Sequence, residues 1–106
     1  MTIQLLEHVN DRLRSAELVL NEREFCKQWL AKSECYMRTL RFNDMNPSAE
    51  ALATLGSKLG YYANGLAARD DPASQYWAGV LTELRKQTQA ELELRVKERW
   101  QRVCAR

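Results

Sequence analysis

The sequence predicts an all-α single domain of about five helices. Its 106 residues, 45% hydrophobic and 28% charged, suffice for one hydrophobic core and not for two. Four glycines and two prolines leave few places for tight turns, and an aromatic content of 8% leaves little β-forming material. Along most of the chain the apolar residues recur every three or four positions, which is the period of an amphipathic helix.

Charge, hydropathy and cysteine usage limit the class of protein. The formal net charge is +2, no apolar run approaches the roughly 18 residues of a membrane span, and no basic flank precedes an apolar leader. We therefore expect a cytoplasmic protein with no membrane partner. Cys26, Cys35 and Cys104 form no CxxC pair and His8 is the one histidine, so we expect three reduced thiols, no metal site and no disulfide.

The first helix is predicted to run from a cap at Thr2 to about Glu17. Its apolar stripe is Ile3, Leu6, Val9, Leu13 and Ala16 or Glu17.

A second, short helix is predicted to begin near Glu22. Asn21 is a suitable N-cap, and Glu24 is placed to reach back as in a capping box. About ten residues fit before Ser33 offers the next cap. The expected buried face is Phe25, Cys26, Trp29 and Leu30.

The third and fourth helices flank a polar turn. Ser33 is predicted to open the third helix, with Met37 and Leu40 pointing inward. After the turn at 43–48, Pro47 fits the first position of a helix that buries Leu52, Leu55 and Leu59. Gly56 and Gly60 each weaken this helix by about 1 kcal/mol relative to alanine. It is therefore expected either to bend near Gly60, or to end there and restart through Tyr61, Tyr62 and Leu66.

The last helix is predicted to be unusually long. Asp71 is its cap and Pro72 its first residue, and no residue from there to Arg106 breaks a helix, which gives a length of about 50 Å. We treat residues 1–71 as a helical bundle and residues 72–106 as a C-terminal helix of the same domain, part of which must project or pair.

The stretch from Glu22 to Gly60 carries a family resemblance. Two short helices around a tight turn, a polar turn ending in Asn-Pro-Ser, and a helix with leucines at 52, 55 and 59 follow in order. The stretch resembles the Cro and phage-repressor type of helix-turn-helix domain, which implies a helix-turn-helix-like centre. It departs from that pattern at Leu30-Ala31-Lys32, where the family has a glycine and one residue fewer, and at Asn43, which replaces a glycine but tolerates the same left-handed cap.

The resemblance implies a DNA-binding surface on the third helix. Arg38 is the expected base reader because a guanidinium contacts guanine at two atoms, whereas Lys32, Ser33 and Arg41 are left for phosphates. The alternative is that this surface is the solvated face of a helical bundle. The predicted DNA-binding residues are Lys32, Ser33, Glu34, Cys35, Tyr36, Arg38, Thr39 and Arg41.

The C-terminal helix has two interpretations of its own. Its apolar seam predicts self-association with a second copy, which would supply the two-fold symmetry that palindromic operators need. Alternatively the helix folds back on its own domain, burying Trp77, Leu81 and Leu84 and fraying beyond Ala90. The predicted dimer interface is Trp77, Leu81, Leu84, Leu92, Val96, Trp100 and Val103.

Together these patterns favour a small DNA-binding regulator that acts as a homodimer on double-stranded DNA. The alternative is a helical adaptor that binds a protein partner through the last helix. We expect that the chain is not an enzyme and that it binds no cofactor. His8 has no nucleophile motif near it in the sequence. Leu55–Gly60 contains the residue types of a phosphate-binding loop, but in the wrong order.

Overall fold

The computed structural model describes residues 2–104, and within them the chain is all-helical. Five helices cover 78% of it: α1 (Thr2–Ser15), α2 (Glu22–Trp29), α3 (Tyr36–Phe42), α4 (Ala49–Ala67) and α5 (Pro72–Val103). The predicted fold class is confirmed, with no strand among the described residues. Residues 105 and 106, to which the last helix was predicted to extend, lie outside the described part, as does the side chain of Thr2, its predicted first cap.

The core is built from the predicted apolar faces. Leu6, Val9 and Leu13 of α1 are fully buried. They join the buried side chains of the other four helices, which are Phe25, Cys26, Trp29, Met37, Leu40, Leu52, Leu55, Leu59, Leu81 and Leu84. Periodicity therefore identified the buried face of every helix.

Three helices are each followed, two residues after their last residue, by a residue in the left-handed conformation that is not glycine. Glu17 has φ 62°, Ala31 has φ 55° and Asp44 has φ 51°. After α1 the amide of Leu18 donates to the carbonyl of Leu13 at 3.0 Å, which is the Schellman arrangement. This turn ends α1 two residues before the predicted Glu17. After α3 the left-handed residue is Asp44 and not the predicted Asn43, whose φ is −96°.

Two predicted helix starts are wrong by a few residues. The third helix begins at Tyr36 and not at Ser33, because residues 33–35 form a turn in which the amide of Tyr36 donates to the carbonyl of Ser33 at 3.1 Å. The fourth helix begins after Ser48, whose hydroxyl accepts from the amide of Ala51 at 3.1 Å. Pro47 precedes this cap and is fully buried instead of being the first helical residue.

The caps of α2 and α5 match their predictions. Asn21 accepts from the amide of Glu24 at 2.9 Å, and Asp71 accepts from the amide of Ser74 at 2.8 Å. The carboxylate of Glu24 reaches back as expected, although it accepts from the amide of Leu20 at 2.8 Å and not from that of Asn21. These bonds satisfy amides that have no partner within their own helix.

Helices α4 and α5 form an antiparallel pair, the most extensive helix contact among the described residues. Helix α4 is continuous through Gly56 and Gly60, which excludes one of the two alternatives left open by the sequence, an end at Gly60 followed by a restart. Gly60 lies against the guanidinium of Arg85, where a Cβ would come within 2.9 Å of Nε. Gly56 likewise faces Gln89. Since the later residue of α4 faces the earlier residue of α5, the two helices run in opposite directions.

Candidate nucleic-acid interface

The third helix is anchored on the inside and open on the outside. Met37 and Leu40 are buried in the core, whereas Arg38 and Thr39 are exposed. Since a helix turns about 100° per residue, these two pairs lie on different faces of α3. The helix therefore holds an exposed polar surface on a fixed apolar base.

Residues 30–35 join α2 to α3. The left-handed Ala31 turns the chain, and the amide of Lys32 donates back to the carbonyl of Cys26 at 3.0 Å. Helix-turn-helix motifs use a turn of about 3–4 residues, so this connection is longer than theirs. The extra length places Ser33, Glu34 and Cys35 before α3 and not on its first turn, where the sequence had placed them.

Tyr36 ties the start of α3 to the loop before α4. Its ring is half-buried, and its hydroxyl accepts a hydrogen bond from the amide of Ser48 at 3.0 Å. The ammonium of Lys32 lies 5.6 Å from the centre of the same ring. Much of Tyr36 is thus committed to internal contacts.

Arg41 links three helices. Its guanidinium donates to both carboxylate oxygens of Glu22 on α2, and its Nε donates to Glu7 on α1 at 2.9 Å. These hydrogen bonds raise the pKa of the guanidinium above its usual range, and those to Glu22 contribute more than the one to Glu7. Arg41 was predicted to contact phosphate; in the structure three of its five N–H groups are committed to Glu22 and Glu7.

Lys32 is also paired with a carboxylate. Its ammonium lies 2.9 Å from Glu50 on the first turn of α4. The hydrogen bond raises the pKa of Lys32 and lowers that of Glu50. The side chain of Glu50 is 80% exposed, so water screens the pair and it contributes little stability.

Arg38 is the predicted base reader that stays most available. Its guanidinium donates to Sγ of Cys35 at 2.8 Å, a weak acceptor, and it makes no ion pair among the described residues. Thr39 lies beside it with an exposed side chain. The structure thus brings Arg38 and Thr39 together on α3 and leaves Glu34 exposed on the preceding turn.

The sequence analysis missed the partners of these cations and two neighbouring apolar side chains. Glu7 and Glu50 come from elements distant in sequence, and no local pattern marks them. Phe42 at the end of α3 is 88% exposed, and Met45 in the following turn is 54% exposed. A signal for Phe42 was present, because the helical period that buries Met37 and Leu40 places Phe42 on the opposite side of α3. Met45 lies in the turn, to which this period does not apply.

The predicted dimer seam on α5 is divided in two. Leu81 and Leu84 are buried in the core of their own chain and Trp77 is half-buried, so these three are not a free surface. Leu92 is half-buried, whereas Val96, Trp100 and Val103 are exposed. The continuous seam that was predicted is therefore wrong at its start. The alternative interpretation, in which α5 folds back on its own domain, is right for the burial of Leu81 and Leu84. It is wrong in the fraying beyond Ala90, because the helix continues to Val103.

The C-terminal part of α5 is exposed because it extends past the first residue of α4. Gly60 faces Arg85 and Gly56 faces Gln89, so Ser48 at the start of α4 stands level with about residue 97 of α5. Beyond this level α4 has no residues to cover α5. We call residues 93–103 the arm; residues 93–97 lie level with the first turn of α4, and the residues after them extend past it. Within the arm Arg95 bonds to Glu98 at 3.0 Å.

The described residues 2–104 hold no group of three or more side chains suited to binding a metal ion. Cys26 is buried, and burial raises the pKa of its thiol. Within the same residues, none of the helices combines the length and the apolar character that crossing a membrane requires.

The chain belongs to a family of unknown function, DUF6626, whose model matches residues 6–101. The match includes α2, α3, α4 and nearly all of α5. Comparison with curated proteins and with solved structures finds no match to the chain. Membership of this family assigns no activity to the chain.

Proposed function

We propose that the chain is a small regulator that binds double-stranded DNA through α3 and acts as a homodimer. The observation that supports this best is the outward face of α3, where Arg38 and Thr39 stand exposed on a helix anchored by Met37 and Leu40. A rigid helix with a few exposed side chains is what reading the major groove requires. The resemblance of residues 22–60 to phage-repressor domains supports the same function.

The roles of the surrounding residues follow from their contacts. Arg38 exchanges its weak bond to Cys35 for guanine, which accepts a guanidinium at two atoms. Thr39 reads a neighbouring base, and Ser33 and Lys32 contact phosphates. Arg41 holds α3 in place through Glu22 and Glu7, so its contribution to DNA binding is to position the helix.

The test is a fluorescence-anisotropy titration of mixed genomic DNA fragments at two salt concentrations. The fragments that bind are then separated from the rest and sequenced to identify the site that they share. This site is titrated with the natural protein and with the Arg38→Ala variant. We expect the affinity for this site to fall about 10- to 100-fold, because a bidentate base contact is worth about 1–3 kcal/mol. The thermal midpoint should not change.

The matched control is Arg23→Ala, which removes an exposed arginine from α2. It should leave the preference for the recovered site unchanged. Absence of binding at low salt would overturn the proposal. A loss of folding in Arg38→Ala would show that Arg38 is structural and not a base reader.

A second candidate is a helical adaptor that binds a protein partner through the arm and binds no DNA. It is favoured by the exposure of Val96, Trp100 and Val103. Salt distinguishes the two functions, since phosphate contacts weaken steeply as salt rises and apolar contacts barely respond.

A further inference from the structure

The apolar stripe of α5 continues without a break from the core onto the arm. Leu81, Leu92 and Val103 are eleven residues apart, and 84, 88, 96 and 100 fill the intervals at steps of three and four. An eleven-residue period gives 3.67 residues per turn, close to the 3.6 of a straight helix, so the stripe runs nearly parallel to the axis. Its last three members, Val96, Trp100 and Val103, are the ones left exposed.

Charge indicates what covers this face. Residues 94–104 contain four cations and one anion, whereas residues 83–93 contain two cations and three anions. A second α5 in parallel would set the two cationic segments side by side. In the antiparallel orientation each cationic segment meets the more acidic segment of the other copy, and opposite charges are then adjacent.

We propose that the face of Leu92, Val96, Trp100 and Val103 binds the same face of a second copy, with the two α5 helices antiparallel and crossing near residue 95. This deepens the proposed function by assigning its dimer contact, although the pairing itself requires no DNA. At this crossing Glu93 stands level with Lys97 of the second copy, which gives two symmetric ion pairs. Trp100 then lies over Gln89 and Leu92 of the second copy.

The groove beside Gln89 and Leu92 offers space for the indole. It lies between α4 and α5, has a volume of about 370 Å³, and includes Gly56 and Gly60 in its lining. The two helices overlap over about 28 Å, from residue 86 to residue 104. Between residues 86 and 97 the second copy lies in this groove beside α4, and not on the side of α5 that α4 covers.

The first test is molecular mass by light scattering over a range of protein concentrations, without DNA. We expect a dimer whose dissociation constant rises about tenfold or more in Trp100→Ala, since a large aromatic side chain buried in an interface is typically among the residues that contribute most to binding. The control is Phe42→Ala, which removes a more exposed aromatic residue on α3 and should leave the mass unchanged. A monomer at every concentration would overturn the pairing.

The second test determines orientation by disulfide cross-linking in a Cys35→Ser background. Antiparallel pairing sets residue 86 beside the native Cys104 of the second copy, so Lys86→Cys should form a disulfide between positions 86 and 104 on oxidation. Gln87→Cys, on the opposite side of the helix, should not. A Cys104–Cys104 dimer in the background protein would indicate parallel helices and overturn the proposal.

The two proposals fail separately. Binding of DNA by a protein that remains monomeric would overturn the α5 pairing and leave the function of α3 intact. A cross-linked antiparallel dimer without affinity for DNA would overturn the function proposed for α3 and leave the α5 pairing intact.

Discussion

The two halves of α5 share one sequence pattern and have opposite environments. In the first half Leu81 and Leu84 are 0% and 2% exposed, whereas in the second half Trp100 and Val103 are 43% and 63% exposed. Both pairs belong to the same stripe. The difference arises from α4, which begins at Ala49 and covers α5 only as far as about residue 97.

This contrast teaches what a periodic pattern specifies. The spacing of apolar residues determines which side of a helix is apolar, and it says nothing of whether the cover comes from the same chain. For Leu81 the cover is part of the chain's own core, so the residue contributes to folding. For Trp100 the cover we propose is a second copy, so the residue contributes to association.

The largest expected effect is the loss of stability on substituting Leu81. Leu81→Ala should lower the free energy of unfolding by about 2–5 kcal/mol, because it leaves a cavity in the core. Val96→Ala in the arm should lower it by about 0.5 kcal/mol or less. Urea unfolding measures both, at concentrations where light scattering gives the monomer mass. Equal losses would show that the arm is covered by its own chain.

A smaller effect is expected from pH at the covered end of α5. The amide of Ser74 bonds to Asp71 and lowers the pKa of its carboxyl from 3.8. A lowered folded-state pKa adds stability above pH 3.8, and this stability is lost as pH falls through the folded-state value. Asp71→Asn keeps a capping side chain without the charge, so its thermal midpoint should be lower than that of the natural protein at pH 7.

The difference in midpoint between Asp71→Asn and the natural protein should close as the pH is lowered below 3.8. The control is Asp70→Asn, which removes the same charge one residue earlier and leaves the cap intact. A gap of constant size down to pH 2 would contradict the role of the carboxylate.

The sequence predicted the helices and their buried faces better than the contacts between them. Asn21 and Asp71 were correctly identified as caps because each meets a local rule that needs only three residues of context. Ser33 met the same rule and failed, because the left-handed Ala31 and the longer connection delay α3 to Tyr36. Pro47 was predicted to be the first residue of α4, but the helix begins two residues later at Ala49, after the hydroxyl cap of Ser48.

The candidate site was less predictable. Arg38 and Thr39 follow from the helical period, since they lie away from Met37 and Leu40. The pairing of Arg41 with Glu7 joins residues 34 positions apart, and that of Lys32 with Glu50 joins residues 18 apart. Such pairs are set by how helices pack, and a single sequence carries no signal for them.

The short connection at residues 68–71 has a consequence for the order of folding. Closing so small a loop costs little chain entropy, so α4 and α5 can pair before α1 reaches its distant contacts. In a chevron plot Leu59→Ala should then slow folding, whereas Leu6→Ala should chiefly speed unfolding. The reverse assignment would place α1 in the folding nucleus. On this order the long helix is in place before α3 is held against the core.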